Sequence, residues 1–394
     1  MMKRLVIGAA LAAAMLGAGG AASAAEPVKI GYAIAKTGPF AEAAESQLQT
    51  YRLWADQVNA RGGLDVAGQK RPVQFIVYDD QSDFGKEPEI YEKLITSDKV
   101  DLLLSPWGTP SHFAVAGVLE KYRFPMIGST AASVALRDVK PGNIWFTTSA
   151  IPDRMSEELV KMMKQQGVKT VAVNTLQLDF SLEVKKYLIP EIKKSGIRIV
   201  VDKEYPPDAK DMTAALTAIK QAAPDAVLSL SYPPDSILYL KQAREIGINA
   251  PFQLVLVGPT ADFFGKMFGA NLDGIVTMGH WTQNQPKWPK AKPFYDAFVK
   301  KYHEKPDYLD SALPYMECEI LEQAVAKVGL DKAKLRREIS TATFDTIDGP
   351  VKFDGVQNAT TPTMFIQFQK GEAQIVWPAS EATAKFIPKP AWTK

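Results

Sequence analysis

The run LLLSPWGTPSHFAVAGVLEKYRFPMIGSTAA, residues 102–132, decides how this chain is read. An apolar strand over 102–104 leads into a loop carrying Ser105, Trp107, Gly108 and Thr109. A short helix opens near Pro110 and Ser111, and a second strand over 125–127 ends in Gly128, Ser129, Thr130, Ala131 and Ala132. In an open α/β sheet, ligands sit outside the carboxyl ends of the strands, where helix N-terminal amides and short hydroxyl side chains hold an anion. Two such ends lie here, one βαβ unit apart. They read as the halves of a carboxylate cradle, with Trp107 as an apolar wall beside it. Ser, Thr and Gly at these positions also serve simply as helix caps and turns.

The alternation extends outward from this run. Residues 28–34 (VKIGYAI) form a first strand, and the Gly38-Pro39 turn leads into a long helix whose apolar face is Leu48, Tyr51, Trp54, Ala55 and Val58. That helix stops at Arg61-Gly62-Gly63. Phe40, at the turn, either covers a ligand or packs under the helix. Residues 73–78 form the next strand. The acids after it, Asp79, Asp80 and Asp83, lack the glycine and distal glutamate of a calcium loop, so they read as caps and solvated loop, with no metal site.

A strand over 143–146 leaves the first lobe, and the pattern begins afresh. Helices over 153–166, 180–195, 211–222 and 234–246 alternate with strands over 170–174, 198–201, 226–230 and 252–257. The fold class is therefore α/β, with two doubly wound parallel-sheet lobes and a ligand cleft between them. Strand ends of the second lobe offer Phe180, Tyr232 with Asp235 behind it, and Pro259 as groove-facing candidates. Residues 280–288 cross back, helices over 293–302, 310–327 and 331–341 return to the first lobe, and runs over 363–369 and 373–377 read as a hairpin.

Composition narrows the possibilities. The chain has 394 residues, 46% hydrophobic and 23% charged, as in ordinary globular proteins of two or three domains. Residues 1–24 combine a basic start (Lys3, Arg4), an apolar stretch and Ala22-Ser23-Ala24, which reads as an export signal and not as a membrane anchor. Without Lys3 and Arg4, the 46 basic residues become 44, equal to the 44 acidic ones, so the exported chain is near neutral. Nucleic acid as a partner demands a basic face and is disfavoured. Cys318 is the single cysteine and reads as a buried small hydrophobe; the three histidines (His112, His280, His303) are not spaced as a metal site. No nucleophile elbow, P-loop or HExxH occurs, so no enzyme and no cofactor is expected; a hydrolase is the disfavoured third possibility. The lobes divide as 25–148 with 279–347, and 149–278 with 348–394.

KIGYAIAKTGPFAEAA, the helix ending NARGG, VQFIVYDDQSD, FPMIGSTAAS and DAVLSLSYPPDSILYLKQAREIGI, in this order behind an export signal, resemble the leucine/isoleucine/valine-binding protein family. These are the type I periplasmic solute-binding proteins of ABC importers. The resemblance spans essentially the whole exported chain. It implies a periplasmic protein with two lobes joined by three crossing segments, closing over a small carboxylate, an aromatic acid or an apolar, branched-chain amino acid. The loaded form would dock on an ABC permease in the inner membrane without itself inserting there. A ligand-presenting sensor for a membrane receptor is the alternative.

By the same resemblance, the ligand carboxylate falls to Thr109, Thr130 and Ala132, with the 129–131 backbone alongside, and Trp107 shapes the side-chain pocket; Gly108 is a candidate from its place in the strand-end loop. Phe180 and Tyr232 match aromatic positions that close over the ligand. Two departures stand out. The family's acid for a ligand ammonium should fall near 257–259, where this chain has Val257, Gly258 and Pro259. An aromatic usual after the Gly-Pro turn is replaced by Ala43 and Ala44. An unpaired buried ammonium costs several kcal/mol; an amino-acid ligand therefore needs another acid, of which Asp235 is the nearest, or else the ligand lacks an amine.

Overall fold

A computed structural model describes residues 25–138 and 143–393. The export signal expected over residues 1–24 lies outside them. In the first lobe, Val28–Ile34 is flanked by the parallel strands Val73–Asp79 and Leu102–Leu103. A second sheet holds Met126–Gly128, Ile144–Phe146 and Gln357–Asn358 in parallel, extended by the antiparallel strands Gly349–Asp354 and Thr343–Thr346. Ala41–Ala60, with Leu48, Tyr51, Trp54, Ala55 and Val58 buried as its spacing predicts, packs against Ala312–Val328, which carries the fully buried Cys318.

The second lobe is built on one seven-stranded sheet. Arg198–Tyr205, Thr170–Leu176, Ala226–Leu230, Phe252–Val255 and Ile275–Met278 run parallel in that spatial order. Ala226–Leu230, Phe252–Val255 and Ile275–Met278 are buried at every position, as expected of strands covered on both faces. The tail hairpin, Phe365–Gln369 with Glu372–Trp377, adds antiparallel to Ile275–Met278. Parallel strands thus form the centre of each lobe, and antiparallel ones only the margins.

Three expectations are corrected. The strands after residue 347 do not enter the second lobe: Gly349–Asp354 and Gln357–Asn358 continue the sheet of Ile144–Phe146, so the chain crosses only after Asn358. The helix after Trp107 is not short but runs fourteen residues, Thr109–Tyr122. The two strand ends of the cradle are not ladder partners, since Leu102–Leu103 and Met126–Gly128 belong to different sheets.

Side chains close the seam between those sheets. The hydroxyls of Ser105 and Ser129 lie 2.8 Å apart, and the amide of Ser129 donates to Ser105 Oγ at 3.2 Å. Beneath them the fully buried Glu317 accepts from the Ser105 amide (2.8 Å), the Ser105 hydroxyl (2.9 Å) and Tyr51 (2.6 Å). Gly128 fits here because it has no side chain: a Cβ would stand 2.9 Å from the His112 ring and 3.0 Å from that of Phe146.

Three segments cross between the lobes, after Phe146, after Met278 and after Asn358. They are stitched to one another. Asn358 Nδ2 donates to the Thr147 carbonyl (2.7 Å), Gln357 Nε2 to that of Thr148 (3.2 Å) and Thr363 Oγ1 to that of Ser149 (3.2 Å). Thr148 Oγ1 lies 3.3 Å from His280 Nε2, which joins the first crossing to the second.

Candidate functional site

The helix Thr109–Tyr122 begins at Gly108, whose φ of +85° and ψ of 154° lie in a region that only glycine occupies readily. That conformation turns the chain from the strand end into the helix and lets the Gly108 amide donate to Thr130 Oγ1 at 2.9 Å. Thr130 in turn contacts Gln47 Oε1 at 3.1 Å, and the Ala132 amide donates to Thr109 Oγ1 at 3.1 Å. The two loops are therefore one unit. Among the described residues, no hydrogen bond uses the amides of Thr109, Thr130 or Ala131. Three N–H groups and a helix N-terminus are left to serve a guest.

Above this floor is an interlobe cavity with about 390 Å³ of empty space, part of it open to solvent. Trp107, Gly108, Thr109, Ser129, Thr130, Ala131 and Ala132 line it from the first lobe, and Phe180 and Tyr232 from the second. A relay of rings spans the lobes. Phe40 lies 5.4 Å from Trp107, Trp107 is edge-on to Tyr232 at 5.9 Å, and Tyr232 is edge-on to Phe180 at 6.2 Å. Such pairs contribute about 0.5–1.5 kcal/mol each beyond the area they bury.

Other expected residues fall outside the lining. Phe40 stacks on Phe84, lies tilted against Trp107 and is not among the lining residues. Pro259 sits in the turn after its strand, and Val257 reaches the cavity instead. Asp235 faces away. Its carboxylate accepts from the Tyr205 hydroxyl and from the Tyr232 amide at 3.2 and 3.3 Å, so it caps the helix Pro233–Ile246 and holds Tyr232 in place. Burial pushes its pKa up to about 6.

The lining also includes Thr148, Met278, Leu309, Asp310 and Leu313, which sequence reading missed, and His280, the first residue of the 280–288 stretch that the sequence leaves open between bordering the cleft and patching the surface. Thr148, Met278 and His280 lie at the crossings, which by topology must border the cleft, and that was the available signal. Asp310 gave no such signal, because it precedes a helix that belongs mostly to the core of the first lobe. It is 5% exposed and accepts the Trp107 indole N–H on Oδ2 at 2.9 Å.

The electrostatics are those of a dipole-lined, cation-free chamber. No lysine or arginine is among the lining residues. Burial lowers the His280 pKa to about 4 and keeps the ring neutral. Burial, then the neighbouring Asp307 carboxylate, raises that of Asp310 well above the usual range. Such a lining offers an anion hydroxyls, amides and a helix terminus, and no cation for an ion pair. Among the described residues no group of His, Cys, Asp and Glu is arranged to hold a metal, and no helix is long and apolar enough to cross a membrane.

A model of the family described as Periplasmic binding protein matches residues 27–373. The chain is 26% identical over 388 residues to Leu/Ile/Val-binding protein homolog 7 of Brucella melitensis, covering 93% of this chain and 95% of that one. Its fold is similar to that of LivJ, the substrate-binding protein of a branched-chain amino acid transporter from Streptococcus pneumoniae, solved with isoleucine. There the TM-score is 0.79 and the identity 22%, over 90% of this chain and 100% of LivJ. It is similar also to an ABC-transporter solute-binding protein of R. palustris solved with benzoate, with a TM-score of 0.78 and 20% identity over 91% and 98% of the two chains.

Proposed function

This chain belongs to the periplasmic binding protein family, and on that premise we propose that it is the substrate-binding component of an ABC importer. It captures a small carboxylate, either an aromatic acid or an apolar amino acid, between its closing lobes. The observation that carries this reading is the interlobe cavity. Thr109, Thr130 and Ala131, whose amides are unused among the described residues, line it from one lobe together with the start of the helix Thr109–Tyr122, while Phe180 and Tyr232 line it from the other. The amides suit a carboxylate, and the rings suit a flat or branched apolar body. The relatives that bind isoleucine and benzoate bracket the same range of ligands.

Residues of both lobes line the cavity, so the ligand binds the closed form better than the open one and shifts the balance toward it. Export through the signal over residues 1–24 would place the protein in the periplasm, and the closed form is what a permease in the inner membrane would receive. A thermal-shift screen followed by calorimetry tests the reading, with leucine, isoleucine, valine and phenylalanine set against benzoate and 4-hydroxybenzoate. A tight ligand raises the melting temperature by mass action. A panel in which no carboxylate stabilises the protein, or in which turnover of one is seen, would overturn it.

A further inference from the structure

Asp310 is the one acid among the described residues that line the cavity, and its hydrogen bonding is incomplete. A carboxylate offers about four acceptor positions. Here the Trp107 indole N–H at 2.9 Å fills one, and no other hydrogen bond to the carboxylate occurs among the described residues. At 5% exposure the side chain is nearly withdrawn from bulk water. Its neighbour Asp307 is differently placed: Oδ1 accepts the amides of Leu309 at 2.7 Å and Asp310 at 3.2 Å, which makes it the acid that shapes this turn. Asp235, the other acid near the cleft, is used up by Tyr205 and Tyr232.

We infer that Asp310 sets a requirement on the ligand: the small carboxylic acid must carry a hydrogen-bond donor, an α-ammonium or a phenolic hydroxyl, that ends on the Asp310 carboxylate. This rests on the small-carboxylate reading above and narrows it. The physical reason is charge balance. No cation lines the cavity, so a plain carboxylate ligand would meet the Asp310 carboxyl, with Asp307 just behind it, and find no positive charge to offset them. A ligand that brings its own donor fills the empty acceptor positions and removes that repulsion. Trp107 fits the role as well, since its N–H holds the acid while its ring walls the void. The acid missing near residue 257 is thus supplied from the other lobe, by a residue just ahead of the helix Ala312–Val328.

Calorimetry on matched pairs tests this: leucine against 4-methylpentanoate, which lacks only the ammonium, and 4-hydroxybenzoate against benzoate, which lacks only the hydroxyl. The pair that binds identifies which donor is used. The donor-bearing member is expected to bind about 10- to 150-fold more tightly, the value of a hydrogen bond to a charged group. Asp310→Asn should reduce that preference to within about threefold, because the amide can still accept from Trp107 but carries no charge. Equal or tighter binding of the donor-free member, or a preference that survives Asp310→Asn, overturns the role of Asp310 while leaving the carboxylate reading standing. Binding of none of the four compounds overturns that reading and this inference with it. Should Asp310→Asn not fold, Asp310→Glu takes its place and should shift the preference at least threefold, while donor-free binding as tight in wild type still overturns the requirement.

Discussion

Glu183 and Val134 meet across the two lobes: Oε1 of Glu183, on the second lobe, accepts the main-chain amide of Val134, on the first, at 3.0 Å. It also accepts the amide of Ala135 at 3.1 Å, so one carboxylate caps the start of the helix Val134–Asp138 from the opposite lobe. The contact exists only while the lobes are together and is therefore a measure of closure.

Glu183→Ala should weaken ligand binding about two- to tenfold, the modest value of hydrogen bonds at a partly exposed site. The melting temperature of the ligand-free protein should stay close to wild type. Calorimetry and thermal melting check this together; an unchanged affinity would mean the contact contributes nothing to closure.

Thr109 joins the two halves of the floor, since its Oγ1 accepts the Ala132 amide while its side chain lines the cavity. Thr109→Val keeps the shape and removes the hydroxyl. Affinity should fall by roughly 1.5–3 kcal/mol if that O–H donates to the ligand carboxylate. Isothermal titration measures it, and an unaltered dissociation constant would remove Thr109 from the cradle.

Gly108 has open space around a notional Cβ, with the nearest atom at 3.8 Å, so Gly108→Ala isolates backbone strain from steric overlap. At φ of +85° the substitution should cost about 1–3 kcal/mol of stability. It should also weaken binding, because the helix start would turn its amides away from the void. A denaturation midpoint equal to wild type would contradict the strain.

Glu317 is fully buried, and burial raises its pKa from the ordinary carboxylate value to about 8. The sign of the pH effect follows. Between about pH 4.5 and 8 the unfolded chain has lost this proton while the folded one keeps it, so the group's contribution to stability falls as pH rises, by up to about 1.4 kcal/mol per pH unit. Glu317→Gln mimics the protonated form and should flatten the profile over that window. Melting curves from pH 5 to pH 8 decide it; parallel profiles for the two proteins would show that Glu317 is ionised in the folded state.

Much of the arrangement was legible in the linear chain because it depends on local rules. The apolar face of Ala41–Ala60 follows from helical spacing, and the wholly buried strands of the second lobe appear as continuous apolar runs. Trp107, Thr109, Thr130, Phe180 and Tyr232 were found because strand ends in such sheets converge on the cleft, and all five line the cavity. Asp235 misled for a local reason as well: an acid three residues into a helix is as useful for capping as for binding, and here it caps. The lobe boundary was misplaced because a short strand such as Gln357–Asn358 carries too little pattern to reveal which sheet it joins.

By itself, then, the sequence determined the two α/β lobes, the family and most of the surface that faces the cleft, since hydrophobic period, turn residues and strand-end chemistry are all encoded over a few neighbouring positions. Tertiary structure alone decided which acid borders the void and how the floor is knit. Asp310 reaches Trp107 across 203 residues, and Glu317 reaches Ser105 across 212. Contacts at such separation are set by how the lobes fold back on themselves after each crossing, and no local pattern in the chain records that geometry.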